Sequence, residues 1–565
     1  MLNIKTLITD QRTSWFTDVL FLSFVLGGFY FLLLGSRPLW VPDEGRYAEI
    51  AREMVVTKDY ITPYLNGVHY FEKPVLFYWL GALAIKLGGL NIWSLRSINA
   101  LLALLALLLT YSTTRTLYDR LTALLASFIL ATSTLYFAMA HMINLDLTVT
   151  VFITSCLYFF LLGIQSTSHL KRRSYLYIAT FSSACAVLTK GLIGLILPLI
   201  IIGMWILLLS RWQWIKRLYL PSCLLLFLAI TLPWHLLVGY YNPGFFYFYF
   251  IEQHILRYAL PDIGHYQPIW FFIPILILGF FPWIVFLPQA ILKNLPSSLK
   301  TRQHHGIELF LLLWAGFVFL FFSFSKSKLI PYILPLFPPL SILTARYLIM
   351  SIQQSSYFAI KISYIVLCCF TLMITGLWYF KSQYTLLFIP QTGIFFLNTA
   401  SIILLIGTLI STLSALRQHI GLSLILTIIT AILFLLTTLA AVPSLDSRTI
   451  LPLAIILKPQ LQPSDEVITY QHYYQDLPFY LERRVSILNW RNELSYGMRY
   501  QDTSSWLIND ETFSKRWHSQ KRIFVIMRKE DYPQFILHHP KEKMYRLGET
   551  QTQMLMSNDP QRDNP

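Results

Sequence analysis

The chain carries little charge for its length. Of its 565 residues only 13% are Asp, Glu, Lys or Arg, against about 25% in soluble domains, which excludes an ordinary soluble globule. Cysteine is scarce. The five, Cys156, Cys185, Cys223, Cys368 and Cys369, all lie in apolar stretches. No CxxC or CxxH spacing occurs, so a thiolate zinc site is not expected, and these read as small, reduced, buried side chains. Acidic residues are outnumbered, 28 against 44 basic, for a net charge of +16. Excess Lys and Arg in a membrane protein collects in cytoplasmic loops. Here it sits in short clusters between apolar runs with no nucleic-acid motif, so no nucleic-acid partner is expected. The first apolar run, 19–34, has no small-residue cleavage site behind it, only Gly35, Ser36, Arg37 and Pro38. It reads as a spanning helix and not as a removed signal peptide. Internal repeats and low-complexity tracts are missing.

Apolar sequence is what the chain has in quantity: 55% of its residues are hydrophobic. A bilayer core about 30 Å thick takes about 20 apolar residues per helix. By that ruler thirteen spans are expected, centred near Leu26, Leu105, Ile129, Leu157, Phe181, Ile200, Leu228, Ile277, Leu313, Pro338, Leu372, Leu404 and Leu433. The run 75–87 is too short to cross comfortably and reads as an interfacial or re-entrant helix. Placing the N-terminus in the cytoplasm puts Lys5, Arg12, Arg115, Arg120, Lys171 to Arg173, Arg211, Lys216, Arg217, Lys293, Lys300, Arg302, Arg346, Lys361 and Arg417 on the inside. Only Lys190, Arg257, Lys326, Lys328 and Lys381 fall in the outer loops after the first. That bias fits the positive-inside rule.

The fold class follows: an all-α polytopic membrane bundle over 1–444, with a long first outer loop at 37–96, and a small C-terminal α/β domain over 445–565. In that domain 466–469 and 523–527 read as strands, 475–481 and 510–517 as helices, and 559–565 as a disordered tail. An odd number of spans puts this domain on the outer face.

Ionisable residues gather on that face. The first outer loop contains Pro42-Asp43-Glu44-Gly45-Arg46-Tyr47-Ala48-Glu49-Ile50-Ala51-Arg52-Glu53, whose Pro42 and Asp43 mark a helix start with acids in the first turn. From spacing alone, Glu49 and Glu53 with Arg46 and Arg52 read as surface pairs of a solvated interfacial helix. The loop also holds Tyr70-Phe71-Glu72-Lys73-Pro74. A carboxylate and an ammonium beside the membrane suit a cation and a phosphate headgroup; the plainer reading is a snorkelling lysine and its neighbour. Asn144-Leu145-Asp146 lies at the mouth of the fourth span, with His141 near, and reads either as a site or as an ordinary helix end. Glu252-Gln253-His254-Ile255-Leu256-Arg257-Tyr258 follows an aromatic stretch, 245–250, of the kind that forms an interface belt.

The strings PDEGRYAEIAREM, YFEKP, NLD, EQHILRY and FSFSKSKLIPYILPLFPPL, in this order, resemble the bacterial 4-amino-4-deoxy-L-arabinose transferases that modify lipid A, within the protein-mannosyltransferase-like GT-C superfamily. The resemblance runs along essentially the whole chain. It implies a multi-pass enzyme of the bacterial inner membrane with its active site and C-terminal domain in the periplasm, and a monomer, since no oligomerisation signal stands out. It implies an undecaprenyl-phosphate-linked sugar as donor and lipid A as acceptor, with membrane lipids around it. Asp43 takes the place of the family's essential first-loop aspartate, with Arg46 and Tyr47 beside it and Tyr70 at the head of the second motif. Glu72 and Lys73 match a Glu-Lys pair associated with a divalent metal, zinc or magnesium, and with the carrier phosphate. Asp146 matches a second acid near the cavity, and His254 a histidine that joins the Glu at the metal. Lys190, Arg257, Lys326 and Lys328 are the expected further cations. Gly45 departs from the bulkier residue of relatives, which is expected to loosen the loop.

The chemistry agrees with these roles. A phosphate leaving group gains negative charge as the glycosidic bond breaks, and preorganised cations at that oxygen stabilise it. Zinc or magnesium on two protein ligands keeps positions open for water or phosphate. A phosphate acceptor, with a second pKa of about 6, barely needs a base, whereas a hydroxyl acceptor would need Asp43 to take its proton. Sequence therefore leaves two alternatives standing: transfer of another sugar to lipopolysaccharide core, glycan or protein, and transport of a polyprenyl-linked sugar. Transporters place ionisable groups at mid-bilayer in repeated halves, unlike the one-sided cluster here.

Overall fold

Long runs of Leu, Ile, Phe and Val become helices because a hydrocarbon environment leaves a backbone amide no partner but its own helix. A computed structural model describes residues 14–260, 265–296, 303, 305–385, 390–540 and 543–559. Lys5, Arg12, Lys300, Arg302, the side chain of Lys381 and the tail beyond Asp559 lie outside the described residues. Each of the thirteen expected centres falls in a helical segment. By length and composition, however, eight described helices are fit to cross a membrane, or ten if two bent pairs count as one span each. The helices Trp15–Phe31 and Ile193–Leu208 are shorter apolar ones, and Leu76–Gly88 has only 13 residues, as its short apolar run implies.

The two bends explain why a uniform ruler misreads these stretches. Arg120–Ala131 and Thr134–Ala140 meet at 67°, and Ile269–Gly279 and Trp283–Asn294 at 106°. Pro282 lacks an N–H and cannot continue a helical ladder. The breaks satisfy one another: Thr134 N donates to the Phe281 carbonyl (3.3 Å), and the Trp283 indole donates to the Thr132 hydroxyl (2.9 Å). Broken helices persist in a bilayer where neighbours re-pair the freed groups.

The chain divides into two compact units. The first comprises Met1–Leu34, Arg96–Leu236 and Tyr247–Val442; the second comprises Gly35–Leu95, Leu237–Phe246 and Pro443–Pro565. The first outer loop, assigned from sequence to the membrane domain, thus packs with the C-terminal segment.

In the first unit the helices Leu145–Gln165 and His169–Lys190 form an antiparallel hairpin. Small residues line its seam: a Cβ at Gly163 would stand only 3.2 Å from Leu176, and the Ser155 and Ser182 hydroxyls bond at 2.9 Å. Close approach with hydroxyl bonding is how helices associate where apolar surface gains nothing by leaving lipid. The hairpin brings the start of one helix beside the end of the other, which is where Asp146 and Lys190 stand.

In the second unit the Asn66-Gly67 turn, both residues at positive φ, joins β1 (Tyr64–Leu65) to β2 (Val68–His69), the preferred chemistry of a tight hairpin. The Asn66 amide is fixed in both directions by Val485, donating to its carbonyl (2.9 Å) and accepting from its N–H (3.0 Å). The C-terminal segment builds a six-stranded sheet in the order β5-β4-β3-β6-β8-β7. Its strands are β3 (Glu466–Tyr470), β4 (Ser486–Leu488), β5 (Leu507–Ile508), β6 (Ile523–Arg528), β7 (Tyr545–Glu549) and β8 (Gln553–Ser557). The first four pair in parallel and the last two antiparallel. Both expected strands and the 510–517 helix form; the 475–481 helix starts two residues later, at Leu477–Leu481.

Asp476 caps that helix and is fully buried, its carboxylate finding no sound hydrogen bond among the described residues. Burial, partly offset by the N–H groups of Asp476 itself and Ile450, pushes its carboxyl up to about 8. Between about pH 4 and pH 8 the unfolded chain gives up a proton that the folded chain keeps, so stability falls across that window and levels above it. Asp476→Asn is therefore expected to melt later than the parent at pH 8, by the equivalent of a few kcal/mol, and close to it at pH 5. Thermal unfolding in detergent at the two pH values measures this; a gap that does not widen with pH would refute it.

Candidate active site

In the second unit the helix Asp43–Thr57 carries the first motif. Its charges are not on the surface. Glu44 and Glu49 are fully buried, and Arg52 and Glu53 nearly so, which corrects the expectation of solvated surface pairs. Burial of charge requires pairing. Glu44 is held by Arg37 at 2.6 Å and by Trp40 N at 2.8 Å; Glu49 is bound bidentately by Arg52 at 2.6 and 2.7 Å; Glu53 accepts from Gly67 N at 3.0 Å. Burial, and then the neighbouring Glu49, pushes the Glu53 carboxyl well above the carboxylate range.

Gly45 also departs from expectation. It lies inside the helix, not in a loose loop, and a Cβ there would sit 2.6 Å from the Asp476 backbone N and 2.8 Å from the Gln475 carbonyl carbon. The glycine serves close packing, and the segment 475–476 lies directly against the first-loop motif.

Around Arg46 the polar groups converge. Its Nη1 donates to Asp43 Oδ1 at 3.0 Å, and its Nη2 pairs with Glu493 at 2.6 Å. Asp43 is half exposed, whereas Arg46 and Glu493 keep 15% and 12% exposure. The Gln475 amide donates to Glu493 at 2.7 Å. Burial alone would lower the Arg46 guanidinium, but Tyr70, Glu493, Tyr47 and Glu72 around it hold it protonated well above the ordinary value. Burial raises the Glu493 carboxyl against the pull of Arg46 and Gln475. Tyr70 is buried here, and Tyr47 lies edge-on to Phe77 at 5.8 Å. The Lys73 ammonium donates to the Glu72 carbonyl at 3.0 Å. Glu493 and Gln475 escaped the sequence reading; they lie in short irregular segments with no motif around them.

In the first unit Asp146 and Lys190 form an ion pair. Asn144 caps the helix of Asp146, accepting from Leu147 N at 2.8 Å, and the Asn99 amide ties that turn by donating to the Asn144 carbonyl at 2.9 Å. Lys190 stands in the last turn of its helix, where a cation is favoured, and lies 4.1 Å from the centre of the Tyr332 ring. These three residues line a small, partly open pocket together with Val149, Ile153, Leu197 and Phe322. Asp146 is thus committed to Lys190, and Tyr332, which lies in the string FSFSKSKLIPYILPLFPPL but is not among the expected site residues, joins them.

His254 sits in a π-helical stretch, Tyr247–Leu256, of the kind often found at functional sites. Its Nε2 accepts from Leu192 N (3.3 Å) and its Nδ1 meets the Tyr249 carbonyl. The Arg257 guanidinium donates to Gln253 at 2.9 Å. Lys328 is buried and gives its ammonium to the Gln267 carbonyl at 2.6 Å, while Lys326 is exposed. Burial and then Lys326 lower the Lys328 ammonium. For a metal, carboxylate and imidazole are the right donor types, but a cation on His254 would have to displace the Leu192 bond. No group of three or more His, Cys, Asp or Glu gathers among the described residues. Glu72 belongs to the second unit and His254 to the first.

Residues 15–293 match the dolichyl-phosphate-mannose-protein mannosyltransferase family, and residues 453–558 match the aminoarabinose transferase C-terminal domain. The chain is similar to the aminoarabinose transferases both in its membrane part and in its C-terminal domain. An undecaprenyl phosphate-alpha-4-amino-4-deoxy-L-arabinose arabinosyl transferase of Shewanella sediminis is 33% identical over 358 residues, 61% of this chain and 62% of the relative. A family member from Erwinia tasmaniensis is 28% identical over 531 residues, 90% of this chain and 93% of its own. The chain spans about three-fifths of the length of the first curated relatives it matches. The crystal structure of ArnT from Cupriavidus metallidurans bound to undecaprenyl phosphate superposes with a TM-score of 0.85 at 25% identity, over 97% of this chain and 99% of that one. The Archaeoglobus fulgidus oligosaccharyltransferase, at 14% identity and a TM-score of 0.53, shares the fold alone.

Gly191 ends the helix of Lys190 at φ +89°, and a Cβ there would fall 1.9 Å from His254 Nε2. Gly191→Ala therefore combines backbone strain with overlap and is expected to cost on the order of 3 kcal/mol. Gly203→Ala, whose Cβ meets nothing within 4 Å, is the control. Melting curves of the two variants in detergent decide it; equal midpoints would count against the close His254 packing.

Proposed function

We propose that this protein transfers 4-amino-4-deoxy-L-arabinose from undecaprenyl phosphate to a phosphate of lipid A, at the periplasmic face of the bacterial inner membrane. The observation that carries the reading is the half-exposed Asp43 carboxylate held by a buried, permanently charged Arg46 at the head of the first-loop helix. The names of the relatives support the substrates, and the undecaprenyl phosphate in the Cupriavidus structure supports the carrier. Such enzymes act by transfer, which favours catalysis over transport.

In this reading the N-terminus is cytoplasmic and the C-terminal domain periplasmic, in line with the distribution of basic loops. The donor phosphate gains charge as its bond to the sugar breaks, and Lys73, Arg257 and Lys326 are the cations offered to it. Lys190, already paired with Asp146, holds that acid in place. The acceptor phosphate arrives ionised, so Asp43 orients the sugar and stabilises positive charge growing on its ring rather than taking a proton. A divalent cation, with Glu72 and His254 as its proposed holders, would add Lewis-acid charge at the leaving phosphate when bound. No step above depends on it. Elemental analysis checks this addition: zinc or magnesium is expected in the purified protein and is expected to fall together in Glu72→Ala and His254→Ala. A metal-free protein indifferent to chelators would remove it.

The main test is the lipid A mass spectrum of a strain deleted for the gene, complemented with the wild type or with Asp43→Asn. The aminopentose adduct is expected to vanish on deletion, return with the wild type and stay absent with Asp43→Asn, a loss of at least about 10³-fold for an essential catalytic group. Identical spectra in all three would reject the substrate assignment.

A further inference from the structure

Arg46 is gripped unequally. Its bond to Asp43 joins residues three apart on one helix, at a half-exposed carboxylate, where such pairs are weak and competed for by water. Its bond to Glu493 is shorter, 2.6 Å, and lies between two largely buried groups, the setting in which charge-assisted bonds are strongest. Its third edge is not held, since the buried Nε finds no partner among the described residues. The direction of the guanidinium is therefore set from the C-terminal segment. Glu493 in turn is fixed by the Gln475 amide at 2.7 Å. Gln475 itself is locked against the helix by the close packing at Gly45, whose added Cβ would stand 2.8 Å from the Gln475 carbonyl carbon. The chain of contacts runs Gly45, Gln475, Glu493, Arg46, Asp43, all within the second unit.

We propose that Glu493 is a positioning residue of the transfer reaction: by holding Arg46 from the side away from Asp43, it sets the orientation of the Asp43 carboxylate. Without that counter-pull the guanidinium keeps its bond to Asp43, with Glu72 as a further acid nearby, and closes on Asp43. The carboxylate then turns away from the direction it has in the folded enzyme, and the charge it offers to the sugar is spent on Arg46. A displacement of this kind, about 1 Å at a reacting group, is worth about 10²-fold in rate. Donor affinity rests on other groups, because the long polyprenyl chain and its phosphate do not depend on the Asp43 orientation.

This inference rests on the reading of the protein as an aminoarabinose transferase with Asp43 at its centre. The experiment uses the purified full-length protein in detergent with undecaprenyl-phosphate-linked aminoarabinose and lipid A. Glu493→Gln keeps the shape and the contact with Gln475 while removing the charge. It is expected to lower kcat about 30- to 100-fold with the donor KM within about twofold and the melting midpoint little changed. Glu493→Asp is expected to restore a large part of kcat. Arg46→Gln combined with Glu493→Gln is expected to be no slower than Arg46→Gln alone, since the two act through one contact. A kcat within about threefold of the parent overturns the inference. A loss that tracks the folded fraction, and that Glu493→Asp fails to rescue, overturns it too by making the residue merely structural. A wild-type protein inert in the same assay would bring down the transferase reading itself, and this inference with it.

Discussion

Everything in the second unit turns on the cost of burying charge. The helix Asp43–Thr57 packs four ionisable side chains, Glu44, Glu49, Arg52 and Glu53, where water does not reach them. An ion taken out of water loses several kcal/mol of hydration, and only a partner with good geometry returns it. Glu44 and Glu49 have such partners, Arg37 from before the helix and Arg52 from the helix itself, whereas Glu53, which accepts from a backbone N–H of the following hairpin, is pushed towards its neutral form. The local sequence is thus constrained by electrostatics more tightly than by hydrophobic packing, although buried ion pairs of this kind add little to stability overall. What they add is direction. A carboxylate locked by two donors cannot turn, so the helix presents Asp43 and Arg46 from a fixed base.

The first unit solves the same problem by topology. Asp146 and Lys190 are 44 residues apart in sequence but meet because two helices of similar length fold back on each other. One charge then stands at a helix start and the other at a helix end, each at the terminus its sign favours. Apolar neighbours lining the same pocket, Ile153, Leu197 and Phe322, lower the local dielectric and strengthen the pair. Gly191 closes the arrangement: only a residue without a Cβ lets His254 reach the backbone at the end of the Lys190 helix.

Much of this was legible in the sequence. Each of the thirteen apolar runs falls in a helical segment, because length and hydropathy decide helices in lipid, although only eight to ten of the described helices are fit to cross a membrane. They did not reveal which runs break, since the bends at Ser133 and Pro282 are stabilised by bonds between segments about 150 residues apart. Motifs pointed to Asp43, Arg46, Asp146 and Lys190, whose charges stand out against an apolar background. Glu493 and Gln475 gave no signal because polar residues in short segments without a motif are ordinary in any sequence, and only folding brings them together; Tyr332 lay within the string FSFSKSKLIPYILPLFPPL, but nothing in it singled out the ring. The buried acids of the first helix were misjudged for a related reason. Helical spacing shows which residues share a face but not whether that face meets water.

The placement of Glu493 has a consequence for how the C-terminal segment relates to catalysis. A domain that merely capped the second unit would need only apolar contact, which tolerates small shifts. This one reaches the helix Asp43–Thr57 through a 2.6 Å ion pair and a glycine contact that admits no Cβ, and both depend on close placement. Hydrogen bonds to ions fall off steeply with geometry, and rate falls with the placement of the charges they hold. Both contacts lie within the second unit, and they give a physical reason for joining a small soluble-type domain to a membrane protein: the C-terminal segment holds one side of a clamp whose other side is the Asp43–Thr57 helix.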